Sequence, residues 1–192
     1  MAKTGKTVKD LWIETERLII KPYEAQDLDA CFRLMQNEEL FKYLDMHVMT
    51  RQEYEGLFRW LIDSYEVGFD EDYKFSFNIT LKDSGAHIGW CGIGGVEFDH
   101  TQKEIFYLIG RDYWGKGYAK EAATVMLDYG FHEMGVQKIV GMCKPENIAS
   151  RKVLESLELR FQYVIEGLPE EFDFYNGEPL FSLTRDEYLQ RA

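Results

Sequence analysis

The stretch GRDYWGKGYAKEAA (Gly110–Ala123) decides how this chain is read. From Gly110 it opens G-x-x-x-x-G-K, the start of a Walker A loop, whose eighth position should be Ser or Thr so that a hydroxyl can hold Mg²⁺. That position is Gly117. KEIFYLIG, just before the stretch, reads as a strand, and YAKEAATVMLDYGFHEMG, from Tyr118, reads as a helix of about five turns closed by Gly135. Gly115 and Gly117 therefore lie at a strand-to-helix junction. Glycine lets successive N–H groups converge on one anion and lets a ligand approach the backbone. The helix adds the positive end of its dipole. Lys116 and Lys120 add charge, with Arg111 at the strand end. Lacking the metal-binding hydroxyl, such a loop suits a pyrophosphate held without metal; the alternative is a plain tight turn.

Composition sets what such a site must overcome. The chain has 192 residues, 45% hydrophobic and 15% aromatic, enough for one packed domain. Its formal net charge of −12 speaks against a nucleic-acid partner, which needs a basic face. The same charge repels a polyanion, so a phosphate site must be built locally from backbone N–H groups and a few cations. Cys31, Cys91 and Cys143 form no C-x-x-C pair, which suits reduced thiols in the cytoplasm. His47, His87, His100 and His132 show no metal-ligand spacing, so no metal is expected. MAKTGKTVKD lacks the apolar core of a signal peptide, and no run nears membrane-spanning length. A cytoplasmic protein with no membrane partner is the expectation.

Strands and helices alternate without a linker-like break. LWIETERLIIKPY predicts one strand; DLDACFRLMQN a helix capped by Asp27; RQEYEGLFRWLIDSYEV a second helix with Tyr54, Leu57, Leu61 and Tyr65 along one face. YKFSFNITL and HIGWCGIGGVEF predict a hairpin around KDSGA, with GIGG (Gly92–Gly95) as a bulge or turn. VQKIVGMC predicts a strand, NIASRKVLESLEL a helix, and FQYVIEG and EPLFSLT closing strands around Asn176–Gly177. A single α/β domain over residues 1–192, with its core at about 13–185, is the economical reading.

WGKGYAKEA resembles the acetyl-coenzyme A loop of the GNAT N-acetyltransferases, in the RimJ/RimL-like branch. That loop reads Q/R-x-x-G-x-G/A, with Trp commonly in the first place; here it is Trp114, with Gly117 and Ala119 at the small positions. TERLIIKPY resembles the first-strand signature, KEIFYLIG the fourth strand, and ENIASRKVLESL the Asn-x-x-Ser start of the last family helix. All lie in the family's order, from about Thr15 to about Thr184.

The resemblance implies a mixed, strongly curved sheet flanked by helices and splayed between its fourth and fifth strands. Acetyl-CoA would lie in the gap as co-substrate. Its pantetheine would meet backbone near Leu108, Ile109 and Gly110. Its pyrophosphate would sit on N–H groups from Gly115 through Lys116, Gly117 and Tyr118 to Ala119, beside Trp114 and Lys120, with Asn147 on the other side. Arg111, Lys116, Lys120, Lys144, Arg151 and Lys152 would make that side basic. For acyl transfer to an amine, the N–H of Ile109 would donate to the oxyanion. The tyrosine that protonates the leaving thiolate in many members is replaced by Leu154. Ser150 takes that role in the RimL-like pattern, its competing role being a helix cap. Asp173 matches a RimL-like Glu and is the candidate base; Glu104 is its competitor, with His100 and His132 behind.

The amine is expected to be cationic, a ribosomal-protein-like N-terminus or a small molecule, drawn by Asp70, Glu71 and Asp72 and by Glu166, Glu170, Glu171 and Asp173. Homodimerisation, common among relatives, stays open. Two departures stand out: S-L-E-L replaces the usual K-L-G-F, putting Glu158 where a capping glycine belongs, and the Asp usual after the second-strand turn is missing. Two rival readings are a protein that binds acyl-CoA without turnover and a P-loop-like nucleotide hydrolase, the second disfavoured by Gly117.

Overall fold

The N-terminal segment LWIETERLIIKPY is two strands rather than one. In the computed structural model, which describes residues 7–191, β1 (Ile13–Glu14) and β2 (Leu18–Lys21) pair antiparallel. Between them the Thr15 hydroxyl accepts from the amide of Leu18 at 2.8 Å and the chain reverses. A short 3-10 turn leads to α1 (Leu28–Leu34), followed by α2 (Arg51–Asp63), β3 (Lys74–Leu81), β4 (His87–Val96) and β5 (Asp99–Ile109). Then come α3 (Tyr118–His132), β6 (Lys138–Met142), α4 (Ile148–Ser156), β7 (Arg160–Val164), β8 (Pro179–Thr184) and α5 (Arg185–Leu189).

The strands form one eight-stranded sheet in the order β1-β2-β3-β4-β5-β6-β8-β7. Every neighbouring pair is antiparallel except β5 and β6. These two, the family's fourth and fifth strands, pair only at Lys103↔Ile139 and Glu104↔Val140. Beyond Glu104, β5 runs on to Ile109 while β6 diverges, which is the predicted splay.

Helix α3 covers the sheet with Ala122, Ala123, Met126, Leu127 and Phe131, all buried. Gly130 allows the close approach: a Cβ there would lie 2.5 Å from Ile93 Cδ1. Burying a ring such as Phe131 contributes about 2–3 kcal/mol by area. The helix ends at His132, sooner than the sequence pattern suggests; Glu133 and Met134 turn away, and Gly135 holds φ +71°. In α2, Thr50 and Glu53 form a capping box, Tyr54 and Phe58 are buried, and Leu57 and Leu61 are half-buried. GIGG is neither a turn nor wholly a bulge: Gly92 and Gly94 lie within β4, and the register breaks only at Gly95/Val96. β7 and β8 do pair as a hairpin, with residues 165–178 as an excursion between them. Its two ends are pinned together, through Ile165 N–H to Glu178 O at 2.9 Å and Gly177 N–H to Ile165 O at 2.8 Å. No helix among the described residues is long and apolar enough to cross a membrane.

The missing capping glycine leaves a strained residue. Glu158 follows α4 with φ +63°, the one non-glycine residue at positive φ among those described. Arg191 holds its carbonyl at 3.2 Å and its carboxylate at 3.0 Å. Glu158→Gly is therefore expected to raise unfolding stability by about 1 kcal/mol, because left-handed backbone strain outweighs an exposed ion pair. Denaturant titration checks it; a lower midpoint would show that the Arg191 carboxylate contact dominates.

Candidate active site

The glycine loop is built from two distant parts of the sequence. Gly115 and Gly117 hold φ +73° and +83°, and Gly117 is the N-cap of α3 with no side chain capping the first turn. The first backbone bond of the helix runs from Glu121 N–H to Gly117 O at 3.1 Å. The N–H groups of Tyr118, Ala119 and Lys120 are thus left to an external acceptor, at the positive end of a fifteen-residue helix. Glu121 anchors that turn from beneath. Its carboxylate accepts from Thr15 Oγ1 at 2.5 Å, Arg17 N at 2.9 Å and Arg17 Nε at 2.7 Å. Burial raises the Glu121 carboxyl, but these donors outweigh it and hold it below its usual value. Arg17 Nη1 also donates to Lys116 O at 2.9 Å, and its guanidinium covers the Tyr118 ring.

The indole of Trp114 closes the other side, its Nε1 donating to Ile109 O at 2.5 Å. Of the backbone positions expected to face the gap, only Ile109 does. Gly110 N–H bonds Ile88 O at 2.8 Å, and the alternation of an antiparallel ladder turns Leu108 toward β4 as well. The N–H of Ile109 therefore points away from β4, into the space opened by the splay. Asn147 caps α4: its Oδ1 accepts from Ser150 N at 3.1 Å, so Asn147, not Ser150, fills the cap.

Next to the splay lies a cavity of about 450 Å³. Ser150, Asn147, Tyr107 and Glu104 line it, together with Asp45, Glu97, Glu178, Lys74 and several methionines and aromatic rings. A recess of about 570 Å³ beside Arg33, His87 and Arg111 contains none of Glu104, Ser150 and Asp173. Glu104 stands at the last β5–β6 pair, with Lys74 Nζ 3.0 Å from Glu104 and 3.1 Å from Glu97. Burial raises the Glu104 carboxyl above its usual value; Lys74 opposes this and Glu97 adds to it. Burial also raises Glu97, but a 2.7 Å bond from Tyr175 and the charge of Lys74 bring it below normal. Glu178, almost fully buried, is raised by burial against the pull of Lys144 at 3.0 Å.

Other expected residues lie elsewhere. Asp173 is exposed, does not line the cavity, and accepts from Asn176 Nδ2 at 2.9 Å. Glu166, Glu170 and Glu171 are exposed too. Asp72 is engaged with His100 at 2.8 Å, and His132 with Asp128 on α3. Lys144 faces Glu178 and the carbonyl of Phe174 rather than the glycine loop. Arg111 pairs with Glu39 at 2.8 Å, and Arg151 with Glu155 at 2.9 Å. Leu154, at the place of the family tyrosine, is a core residue.

A family model described as "Acetyltransferase (GNAT) domain" matches residues 17–160. The chain is a GNAT acetyltransferase. It is 32% identical over 178 residues to the "Uncharacterized N-acetyltransferase p20" of Bacillus licheniformis, covering 91% of this chain and 96% of that one. A GNAT-family acetyltransferase from Bacillus anthracis superposes with TM-score 0.77 at 24% identity, covering 92% of this chain and 100% of that chain. RimL, a ribosomal L7/L12 α-N-protein acetyltransferase solved with coenzyme A, superposes with TM-score 0.76 at 16% identity over 92% of this chain and 99% of its own. GNAT acetyltransferases use acetyl-CoA.

Residues that motif reading passes over join the candidate site. Arg17 and Glu121 lie inside the two quoted motifs, but their contact joins segments about a hundred residues apart. Tyr107, Lys74, Glu97 and Glu178 look like ordinary strand or loop residues until the splay brings them to one cavity. Period-two alternation puts strand residues on a face; only topology makes them neighbours.

Proposed function

We propose that this GNAT protein transfers the acetyl group of acetyl-CoA to a primary amine by direct attack in a ternary complex, and that it belongs with the RimJ/RimL-like branch. The observation that carries this is the shared cavity: Glu104 and Ser150 line one space where β5 and β6 part. Glu104 takes the proton of the incoming ammonium, and the neutral amine attacks the thioester carbonyl. The N–H of Ile109 donates to the oxygen as charge grows on it. As the intermediate collapses the nitrogen gives its second proton to solvent, the C–S bond breaks with its electron pair going to sulfur, and Ser150 donates a hydrogen bond to that sulfur. The phosphates rest on the N–H groups from Gly115 to Ala119, beside Trp114, Lys116 and Lys120, with Asn147 across the cleft.

The cavity supports a cationic amine on an apolar body, such as a ribosomal-protein-like N-terminus or a small amphiphilic molecule. Asp45, Glu97, Glu104 and Glu178 outnumber Lys74 and Lys144, while Met35, Met46, Met49 and Trp60 supply an apolar wall. These acids, rather than the exposed 166–173 cluster, are the ones that meet the amine. Thiol release measured over a panel of amines tests the reading. Cationic amines bearing apolar groups are expected to give the highest kcat/KM, with added salt eroding their advantage over neutral amines. Coenzyme A binding without thiol release from any amine would instead identify a non-catalytic acyl-CoA-binding protein, the rival reading that the missing tyrosine admits.

A further inference from the structure

Tyr107 is the one cavity residue whose hydroxyl meets Ser150 twice. Its Oη lies 3.0 Å from Ser150 Oγ and 3.1 Å from Ser150 O. Burial pushes the Tyr107 phenol far above its usual range, so it remains protonated and able to donate throughout the working pH range. One hydroxyl carries one proton, and Ser150 O is already within the helical ladder of α4. If Tyr107 donates to Ser150 Oγ, the serine proton is turned away from the ring, toward the cavity side that Cys143 shares with it. If Ser150 donates to Tyr107 instead, its proton is spent on the phenol.

We propose that Tyr107 is the positioning residue for Ser150: by donating to Ser150 Oγ it directs the serine hydroxyl at the sulfur of the coenzyme. The inference rests on the acetyl-transfer reading above. It supplies what Leu154 does not, a tyrosine hydroxyl at the leaving-group end, delivered from β5 rather than from α4. The chain runs from Tyr107 O–H to Ser150 Oγ, and from Ser150 O–H to sulfur. When the C–S bond breaks, the electron pair stays on sulfur as thiolate, and neither Tyr107 nor Ser150 loses its proton. The nitrogen loses two protons on the way from ammonium to amide: one leaves through Glu104 and the other passes to solvent as the intermediate collapses. The released thiolate takes one back from water, so one proton is released net and charge balances. A donor chain aimed at sulfur stabilises the thiolate more than the thiol, which makes the effect measurable without turnover.

The experiment titrates the thiol of coenzyme A bound to the whole protein, by ultraviolet absorbance of the thiolate. The complex with desulfo-coenzyme A is subtracted to remove the protein's own thiols; Cys143, nearest the site, is pushed up to about 11 by burial. Tyr107→Phe is expected to raise the pH of the bound thiol's titration by about one unit, a roughly tenfold loss of preference for thiolate. It should also lower kcat about tenfold with KM for acetyl-CoA unchanged. In a Ser150→Ala background Tyr107→Phe should add nothing, because its effect passes through the serine. Replacing Tyr107 by 3-fluorotyrosine, a stronger donor of nearly the same shape, should move the titration the other way and keeps the test open if the phenylalanine variant unfolds. An unmoved titration in both variants, or an equal shift without Ser150, overturns the inference and leaves acetyl transfer standing. Failure of the parent protein to bind coenzyme A overturns both.

Discussion

Gly117→Asp is expected to abolish coenzyme A binding in calorimetry while the protein still melts cooperatively. The residue holds φ +83°, a conformation that Asp tolerates better than most side chains, so the backbone cost stays at about 1 kcal/mol. A Cβ at this position has room, with its nearest neighbour Arg17 Nη2 at 3.5 Å. The damage is electrostatic. A carboxylate would occupy the N-terminus of α3, compete for the free N–H groups of the first turn and repel the phosphates. A loss of at least 100-fold in affinity, about 2.8 kcal/mol, is expected. Gly117→Asn, of the same shape without the charge, should retain more of the binding. If the Asp variant binds coenzyme A as the parent does, the loop is only a turn and the phosphate site lies elsewhere.

Glu104→Gln is expected to lower kcat by roughly 100-fold or more, the usual contribution of a positioned general base. Lys74 keeps Glu97 as a partner at 3.1 Å, so the exchange does not strand a buried cation. The pH profile separates this role from a structural one. Burial raises the Glu104 carboxyl, so in the parent the base is protonated and silent below a pH higher than a carboxylate normally requires. The rate should rise as pH passes upward through that value, and the Gln variant should lose this limb. An unchanged acid limb in Glu104→Gln would assign the base to another group. Asp173→Asn is the useful counterpart: exposed and bonded to Asn176, it should leave both kcat and the limb as they are.

The conformation of the glycine loop was far more legible in the sequence than the lining of the cavity, for a physical reason. The proposed phosphate site depends on local backbone: two glycines two residues apart, a helix start, nearby lysines. Such a device occupies one continuous stretch, and residues Gly115–Ala119 take the conformation their sequence suggests. The helix-capping question at Ser150 needed only the next turn of chain, yet the sequence left it open; Asn147, three residues earlier, takes the cap. The choice of a proposed base lies beyond any local rule. Asp173 and Glu104 are both acids in plausible places, and what separates them is that β5 and β6 part just beyond Glu104 while residues 165–178 loop outward and leave Asp173 in solvent. Likewise the 54/57/61 face of α2 has the spacing of a core stripe, but Leu57 and Leu61 form a wall of the cavity. A half-buried stripe against a cavity and a buried stripe against a core have the same period.

The bonds from Arg17 to Glu121 and to Lys116 O bear on how the protein folds. They close a loop of about a hundred residues, and closing a loop of that size carries an entropic cost that only the completed core offsets. The glycine turn is therefore expected to acquire its shape late, after α3 has docked and the first hairpin has reached it, rather than as an autonomous local motif. The amides that do bond across this junction, Arg17 N–H to Glu121 Oε1 at 2.9 Å and Glu121 N–H to Gly117 O at 3.1 Å, should consequently exchange through openings that also release β1 and β2, as one cooperative unit. A ligand on that turn then stabilises the N-terminal hairpin as well, at a distance from any atom it touches.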